Sequence, residues 1–500
     1  MNIATAEPSH ELFIPRESNL RGMLAYDDTT KFLYVEETSM TSIEVMEYMA
    51  ELERHDFRFE RVSITSDELR DKYRSKASGE ADNSRLQNSI INLIRVASKD
   101  RVSDVHIVVD HEKTVIKYRQ LGRLCKVPSN YNEKDGMEIL RTIYSTMSDN
   151  ADIYLKEKEK QDARLSAKYV SELGLYGGRI ATTPTDKGML MVIRLFYSSD
   201  EALPELGKLG YSNEQVLVLK KMIRSRLGLC LISGVTGSGK TTTLEKIMKV
   251  MIAESDGKKN FITVENPPEN DIPGANQTPV LCEDFNDDSK VSQSWGKSIA
   301  NLLRLDPDVI MVGEIRDVDS AKAAVHSANT GHLVFSTVHA FDAVAILDRL
   351  IYDMGLIPSQ ILNYRLVKGL VNQSLIPVLC PSCKVHLSGN EHIYDDPAFI
   401  ARVKKVIPDE ENYKHICVTG AGCAECNETG LSGRTVIAEI IHPDRGFMNA
   451  YRTAGANEAR EYWLKHLNGK SKKQDLIERI IKGDIDPKVA EEEEGDLDED

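Results

Sequence analysis

The sequence predicts an α/β fold: a parallel sheet covered by helices, preceded by an α+β module and a small N-terminal piece. Three observations carry this. From about residue 226, apolar runs of strand length ("LCLIS", "NFITVE", "VIMVGE", "HLVFSTV") alternate with helical stretches. Runs that are apolar throughout belong to strands buried on both faces, as in a parallel sheet. Upstream, 88–124 reads as a helix followed by the alternating strands "DVHIVV" and "TVIKYRQ". A helical stretch at 134–148 follows, and then the strand candidates "RLSAKYV", "GGRIATTP" and "MLMVIRLF". The third observation is bulk: 500 residues suit about three domains, and 41% hydrophobic with 28% charged residues is ordinary for a globular chain.

In chain order, residues 1–84 form a small N-terminal domain and linker. "SMTSIEVMEYMAEL" (39–52) has helical spacing behind a serine, and "SKASGEADNS" (75–84) is polar and turn-rich. Residues 85–198 form the α+β module, and 199–490 the parallel-sheet domain. There is no internal repeat and no heptad array.

The net charge is −15, but the last ten residues hold eight acids and no base, so the rest of the chain carries only −7. That balance does not mark a nucleic-acid binder, and none is expected as a partner. So dense an acidic run (491–500) repels itself and is expected to be a disordered tail, solubilising more than docking. No apolar run approaches the ~18 residues that span a bilayer, and no basic segment with an apolar core opens the chain. The expected location is cytoplasmic, where the eight cysteines are not read as disulfides.

"GVTGSGKT" matches G-x-x-x-x-G-K-[ST] between a strand and a helical run. Gly234, Val235, Thr236, Gly237, Ser238 and Gly239 supply a backbone that wraps a phosphate with its N–H groups. The helix opening at Lys240, Thr241 and Thr242 adds its positive dipole end. Lys240 reaches the β- and γ-phosphates, and the Thr241 hydroxyl holds Mg²⁺. A chance glycine loop is the bland alternative. "DPDVIMVGEIRD" ends a strand at Glu314, a carboxylate suited to orienting or deprotonating water; a surface acid capping the next helix is the alternative. "FITVENPPEN" ends another strand with Glu265 and Glu269. His332 and His339 bracket "LVFSTV", either as structural hydrogen-bonders or as phosphate sensors.

In order and spacing these four segments resemble the secretion-superfamily ATPases that drive type II secretion and type IV pili. The resemblance covers roughly residues 88–485. It implies a RecA-like P-loop ATPase domain preceded by a PAS-like domain, assembled as a homo-hexamer, with ATP and Mg²⁺ bound between the two domains. It also implies that arginines from the PAS-like side reach the phosphates. Arg179 and Arg194 fall on those positions, and ordinary strand-surface arginines are the alternative. Glu314, Lys240, Glu265, His339, Arg179 and Arg194 are thus the implied catalytic set. Departures are Asn266 where the family has Asp, Asp319 where Glu is usual, Leu121 for an Asp, and Ser374 for an arginine.

Cys380-x-x-Cys383 and Cys423-x-x-Cys426 have the logic of a Cys₄ zinc site. A redox role needs one reactive pair in a thioredoxin-like context, and there are two pairs and no such context. Four thiolates leave zinc no open position, so the expected role is a structural staple. The four-cysteine element (376–435) would tie off a polar excursion without an obvious core, projecting towards an inner-membrane platform protein. The element resembles that of pilus-assembly and type II secretion members. The reading is therefore a motor for type IV pilus assembly, peripheral at the inner membrane and touching it only through partners. A type II secretion motor is the first alternative; a DNA translocase and a non-catalytic scaffold are the others.

Overall fold

A computed structural model describes residues 19–499 apart from 28–30, 55–56, 67, 70–79, 150–153, 198–205 and 283–286. The chain divides into two units, Met1–Ser199 and Asp200–Asp500.

In the first unit, β1 (Leu24–Asp27) and β2 (Phe32–Glu36) pair antiparallel, and β3 (Glu60–Ile64) joins β2 in parallel. The helix Ile43–Arg54 covers them. It starts three residues later than a cap at Ser39 would place it, because Ser42 is the cap: its Oγ accepts from the Val45 N–H at 3.2 Å. Val45, Tyr48 and Leu52, spaced three and four apart, bury against Leu24, Tyr26, Leu33 and Val35. The expected linker at 75–84 falls partly outside the described residues, and its remainder already belongs to the helix Glu80–Lys99.

The second sheet of this unit is antiparallel, built from β4 (Asp104–Asp110), β5 (Thr114–Gln120), β6 (Arg123–Val127), β7 (Ser148–Asp149), β8 (Gln161–Leu165), β9 (Leu175–Thr185) and β10 (Gly188–Tyr197). Its order is β6-β5-β4-β10-β9-β8-β7. Its core unites Ile90 and Ile94 of the helix Glu80–Lys99, and Ile139 and Ile143 of the helix Glu133–Thr146, with Val105, Ile107, Ile180 and Ile193. "RLSAKYV" is not one strand. It ends at Leu165, and Ala167–Val170 turn into a short helix.

The second unit is a seven-stranded sheet of order β13-β12-β14-β15-β11-β16-β19. Its strands are β11 (Gly228–Ser233), β12 (Phe261–Glu265), β13 (Ala275–Pro279), β14 (Val309–Val312), β15 (Leu333–Val338), β16 (Val367–Leu379) and β19 (Leu431–Ile441), while β17 (Val385–His386) and β18 (Cys417–Val418) pair antiparallel in a ribbon of their own. The first six are parallel, and β19 runs antiparallel to β16. β11, β12, β14 and β15 are buried along their whole length, as their apolar runs require. Leu229, Leu231, Ile310 and Val334 pack into the core on one face, and Cys230, Ile232, Met311 and Phe335 into the core on the other.

Two expectations fail here. The excursion after Cys383 has a core: Leu387, Phe399, Val403, Ile407, Ile416 and Val418 pack with Ile376 and Ile437 of the sheet and with Leu476, Ile480 and Leu497. Phe399 and Val403 supply it at helical spacing on Pro397–Val406. Nor is the acidic end disordered. Pro487–Glu494 is helical, Arg402 makes a two-pronged pair with Glu491 (2.9 and 2.6 Å), Lys472 meets Glu494 and Lys405 meets Asp498. Leu497 is buried beneath. Partners distant in sequence neutralise the run that a local reading takes as self-repelling.

Candidate nucleotide site and four-cysteine centre

In a parallel sheet all C-terminal strand ends lie along one edge, and ligands bind in loops beyond that edge. Ser233 stands opposite Val338, Ser336 opposite Val312, and Val312 opposite Val264. The loops carrying Lys240, His339, Glu314 and Glu265 therefore leave the sheet together. The phosphate loop turns through positive φ at Gly234 (146°), Gly237 (84°) and Gly239 (79°). A Cβ on Gly234 would sit 2.2 Å from the Gln373 carbonyl oxygen, so only glycine fits. The helix Lys240–Ser255 starts at once and no side chain caps it, which leaves its first-turn N–H groups for another acceptor. Ser238 Oγ is buried and has no hydrogen-bond partner. A glycine cradle, an uncapped helix start and an orphaned hydroxyl together fit a bound phosphate group.

Lys240 folds across the loop, its Nζ donating to the carbonyls of Gly234 and Val235 at 2.9 Å each. Burial holds its pKa below the usual lysine value, and the charge of Glu314 works against that. Glu314 is held at both oxygens: Arg316 Nε lies 2.7 Å from Oε2 and His339 Nε2 lies 3.2 Å from Oε1. Burial and the neighbouring Lys240 depress the His339 pKa, and Glu314 opposes them less strongly. That direction favours the neutral imidazole beside Glu314. The strand ends that carry these groups are cross-tied: Thr337 Oγ1 donates to the Gly313 carbonyl (2.7 Å), and Gly313 N–H to the Val264 carbonyl (2.9 Å).

Glu265 is buried, accepting from Thr263 Oγ1 (2.6 Å) and Gln277 Nε2 (3.0 Å), and burial raises its pKa. Beside it lies a carboxylate that sequence reasoning missed. Glu245, on the helix that follows the phosphate loop, accepts two hydrogen bonds from Asn270 Nδ2 (2.8 and 3.0 Å). Its burial, with the charges of Glu269 and Glu265 nearby, pushes it up to about 7. Glu245 stands one helical turn beyond Thr241, and that i, i+4 spacing was the available signal.

His332 is not brought to this edge. It lies where β15 begins, its carbonyl accepting from the Gly228 N–H, at the opposite end of β11 from the phosphate loop. The strand between spans roughly 16 Å. Its Nδ1 is engaged with the Ser327 carbonyl (3.0 Å) and Thr330 (3.2 Å), the structural-hydrogen-bond alternative. Arg179 and Arg194 belong to the first unit, directly opposite one another on β9 and β10. On the same face Arg164 stands opposite Arg179, Asp104 opposite Arg194, and Arg119 opposite Asp104. Arg194 Nε is 3.1 Å from Asp104, and Arg179 is 3.5 Å from Asp162.

The four cysteines converge. Sulfur separations are 3.8 Å (Cys380–Cys423), 3.9 Å (Cys383–Cys426) and 3.7 Å (Cys423–Cys426), and all four sulfurs lie within 4.8 Å of one another. A tetrahedron with Zn–S of ~2.3 Å has edges of about 3.8 Å, so the cluster fits zinc. Backbone N–H groups of Cys423 and Gly430 each point at Cys426 Sγ from 3.2 Å, as they do towards a coordinated thiolate. Cys417 stands outside the cluster, against His386.

The glycine loop and the strand-end carboxylate leave the sheet at one edge, as in a nucleotide-binding protein, and the four cysteines form a cluster that fits zinc. Residues 79–491 match the model of the type II/IV secretion system protein family, and the chain belongs to that family. It is 31% identical over 403 residues to type II secretion system protein E of Aeromonas hydrophila, covering 79% of this chain and 73% of that one. It is 32% identical over 410 residues to the type IV pilus assembly ATPase PilB of Thermus thermophilus, covering 81% of this chain and 42% of that one. In fold it is similar to the Legionella pneumophila ATPase DotB (TM-score 0.55, 19% identity, 79% of this chain and 92% of that one). It is also similar to the pilus retraction motor PilT with bound ADP (TM-score 0.53, 23% identity, 81% and 96%).

Proposed function

We propose that the protein is a Mg²⁺-dependent ATPase motor, a homo-hexamer that powers type IV pilus assembly. The observation that carries this is the shared sheet edge, where the phosphate loop, Lys240 and the doubly held Glu314 leave the sheet together. The loop from Gly234 to Gly239, with Lys240, Thr241 and Thr242, binds the phosphates of ATP. Thr241 would hold Mg²⁺, which supplies charge neutralisation at the phosphates when bound. Glu314 accepts the proton of the attacking water. His339 and Arg316 fix its two oxygens so that little reorganisation is needed. Glu265 and Glu269 line the neighbouring strand end, and Arg179 and Arg194 supply guanidinium groups to the transferring phosphoryl. In this reading the first unit carries the N-terminal and PAS-like domains and the second the RecA-like domain of the family, and closure of the PAS-like and RecA-like domains on ATP is the mechanical stroke.

The ring acts in the cytoplasm, docked through its N-terminal domain to an inner-membrane platform protein. Among the described residues no helix is long and apolar enough to cross a membrane. The likeness to type II secretion proteins of equal identity supports a second reading, the same motor in a secretion system.

The test is steady-state hydrolysis by wild type and Lys240→Ala with and without Mg²⁺. Activity in the wild type alone, dependent on Mg²⁺, is expected. A wild-type hexamer without activity rules out the motor. Scoring pili and secreted protein in a deletion strain separates the two machines.

A further inference from the structure

Strand β16 lies against both ends of the phosphate loop. Ser233, the last residue before the loop, pairs with Asn372 in the sheet register. The Gly234 backbone presses on the Gln373 carbonyl, and a Cβ on Gly239 would meet Leu375 Cδ1 at 3.1 Å. Successive strand residues face opposite sides of a sheet, so Asn372 and Gln373 reach the site from its two faces. On one face Asn372 Nδ2 donates to Ser233 Oγ (2.9 Å) and to the Ala340 carbonyl (3.0 Å). That joins the root of the phosphate loop to the residue after His339. On the other face Gln373 Nε2 donates to the Ser238 carbonyl at 2.7 Å, while its Oε1 accepts from Tyr211 Oη at 2.6 Å. Tyr211 Oη also lies 3.2 Å from Thr243 Oγ1 in the helix that follows the loop.

Both side chains are wholly buried. A carbonyl only accepts, so the amide orientation of Gln373 is fixed, and Tyr211 must donate to it. Burial pushes the Tyr211 phenol far above its usual range, so it keeps its proton. Two buried side-chain atoms in this region have no partner, Ser238 Oγ and Asn372 Oδ1, on residues that this brace holds.

We propose that Gln373 is a positioning residue of the nucleotide site: with Tyr211 it holds the Ser238 carbonyl and so keeps the loop's N–H groups turned towards the phosphates. Asn372 does the matching work between the loop's root and the His339 segment. This rests on the nucleotide-site reading above. A purely structural role for the chain Tyr211–Gln373–Ser238 would change stability without changing affinity for phosphates.

The experiment titrates the folded full-length protein with a fluorescent ATP analogue and measures kcat and KM. Gln373→Leu is expected to weaken binding and raise KM by about tenfold, with kcat changed less. Gln373→Met keeps the length but can neither donate to the Ser238 carbonyl nor accept from Tyr211, and it is expected to do the same. Tyr211→Phe is expected to cost about threefold alone and nothing further in the Gln373→Leu background. Binding within twofold of wild type in Gln373→Met overturns the proposal, as does full additivity of Gln373→Leu and Tyr211→Phe. If Gln373→Leu does not fold, Gln373→Met and Tyr211→Phe decide. Lys240→Ala in parallel separates the two readings: analogue bound equally by wild type and Lys240→Ala defeats the nucleotide site itself.

Discussion

The two centres of the second unit sit on one strand yet are built in opposite ways. β16 braces the phosphate loop through Asn372 and Gln373 and then delivers Cys380 directly after its last residue. The cysteine centre is closed: four like ligands, sulfur separations near those of a tetrahedron, and backbone N–H groups already aimed at a sulfur. The phosphate site is open and heterogeneous: its lysine lies folded on its own loop carbonyls and its carboxylate is shared between an arginine and a histidine. A centre meant to hold shape can be finished before anything binds. A centre proposed to bind phosphate needs a lysine that can leave its loop carbonyls for the ligand, while its carboxylate stays oriented.

The largest effect that would break this contrast lies at the closed centre. Cys380→Ser is expected to weaken zinc retention by more than about 100-fold and to open residues 387–416 to protease. Zinc analysis and limited proteolysis read this out. One zinc per chain retained in both Cys380→Ser and Cys426→Ser would contradict a four-thiolate site.

A smaller effect sharpens the open centre through pH. Glu245 is held at about 7 by burial and by the charges of Glu269 and Glu265, well above its unfolded value. The folded state therefore binds a proton that the unfolded state releases, and stability falls as pH rises from about 4.5 through 7. The loss approaches roughly 3 kcal/mol at most. Glu245→Gln is expected to melt higher than wild type at pH 8 and to converge with it near pH 5. Equal melting temperatures at pH 8 would show that Glu245 is not buried as a proton-holding group.

The acidic end offers a third, milder test. Arg402→Ala removes the partner of Glu491, and Lys405→Ala that of Asp498. Hydrogen exchange across 487–499 is expected to quicken in both and to quicken further with salt. Exchange already complete in the wild type would restore the disordered tail.

Smallest of all, His332→Ala is expected to leave nucleotide affinity within about twofold, because the ring serves Ser327 and Thr330.

What the sequence made legible follows the same division. β11, β12, β14 and β15 announce themselves because strands buried on both faces are apolar throughout. The cysteine tetrahedron is legible because a metal demands a ligand count and spacing that few other needs produce. β16 does not announce itself. Its middle reads Asn372-Gln373-Ser374, and those polar residues are buried because their partners, Ser233, Ser238 and Lys472, come from far along the chain. The acidic end misleads for the same reason: Arg402 stands 89 residues from Glu491, beyond any local charge pattern. His332 shows the reverse error, where a histidine near a motif strand sits at the wrong end of it.

Glu314, with both oxygens held, is proposed as the place where hydrolysis happens on a site that binds ATP independently of it. The direct measurement is ATP binding and single-turnover hydrolysis, side by side, in wild type and Glu314→Gln. In Glu314→Gln, binding is expected to stay within a few-fold of wild type and hydrolysis to slow by at least about 10³. Hydrolysis by Glu314→Gln at close to the wild-type rate would contradict it.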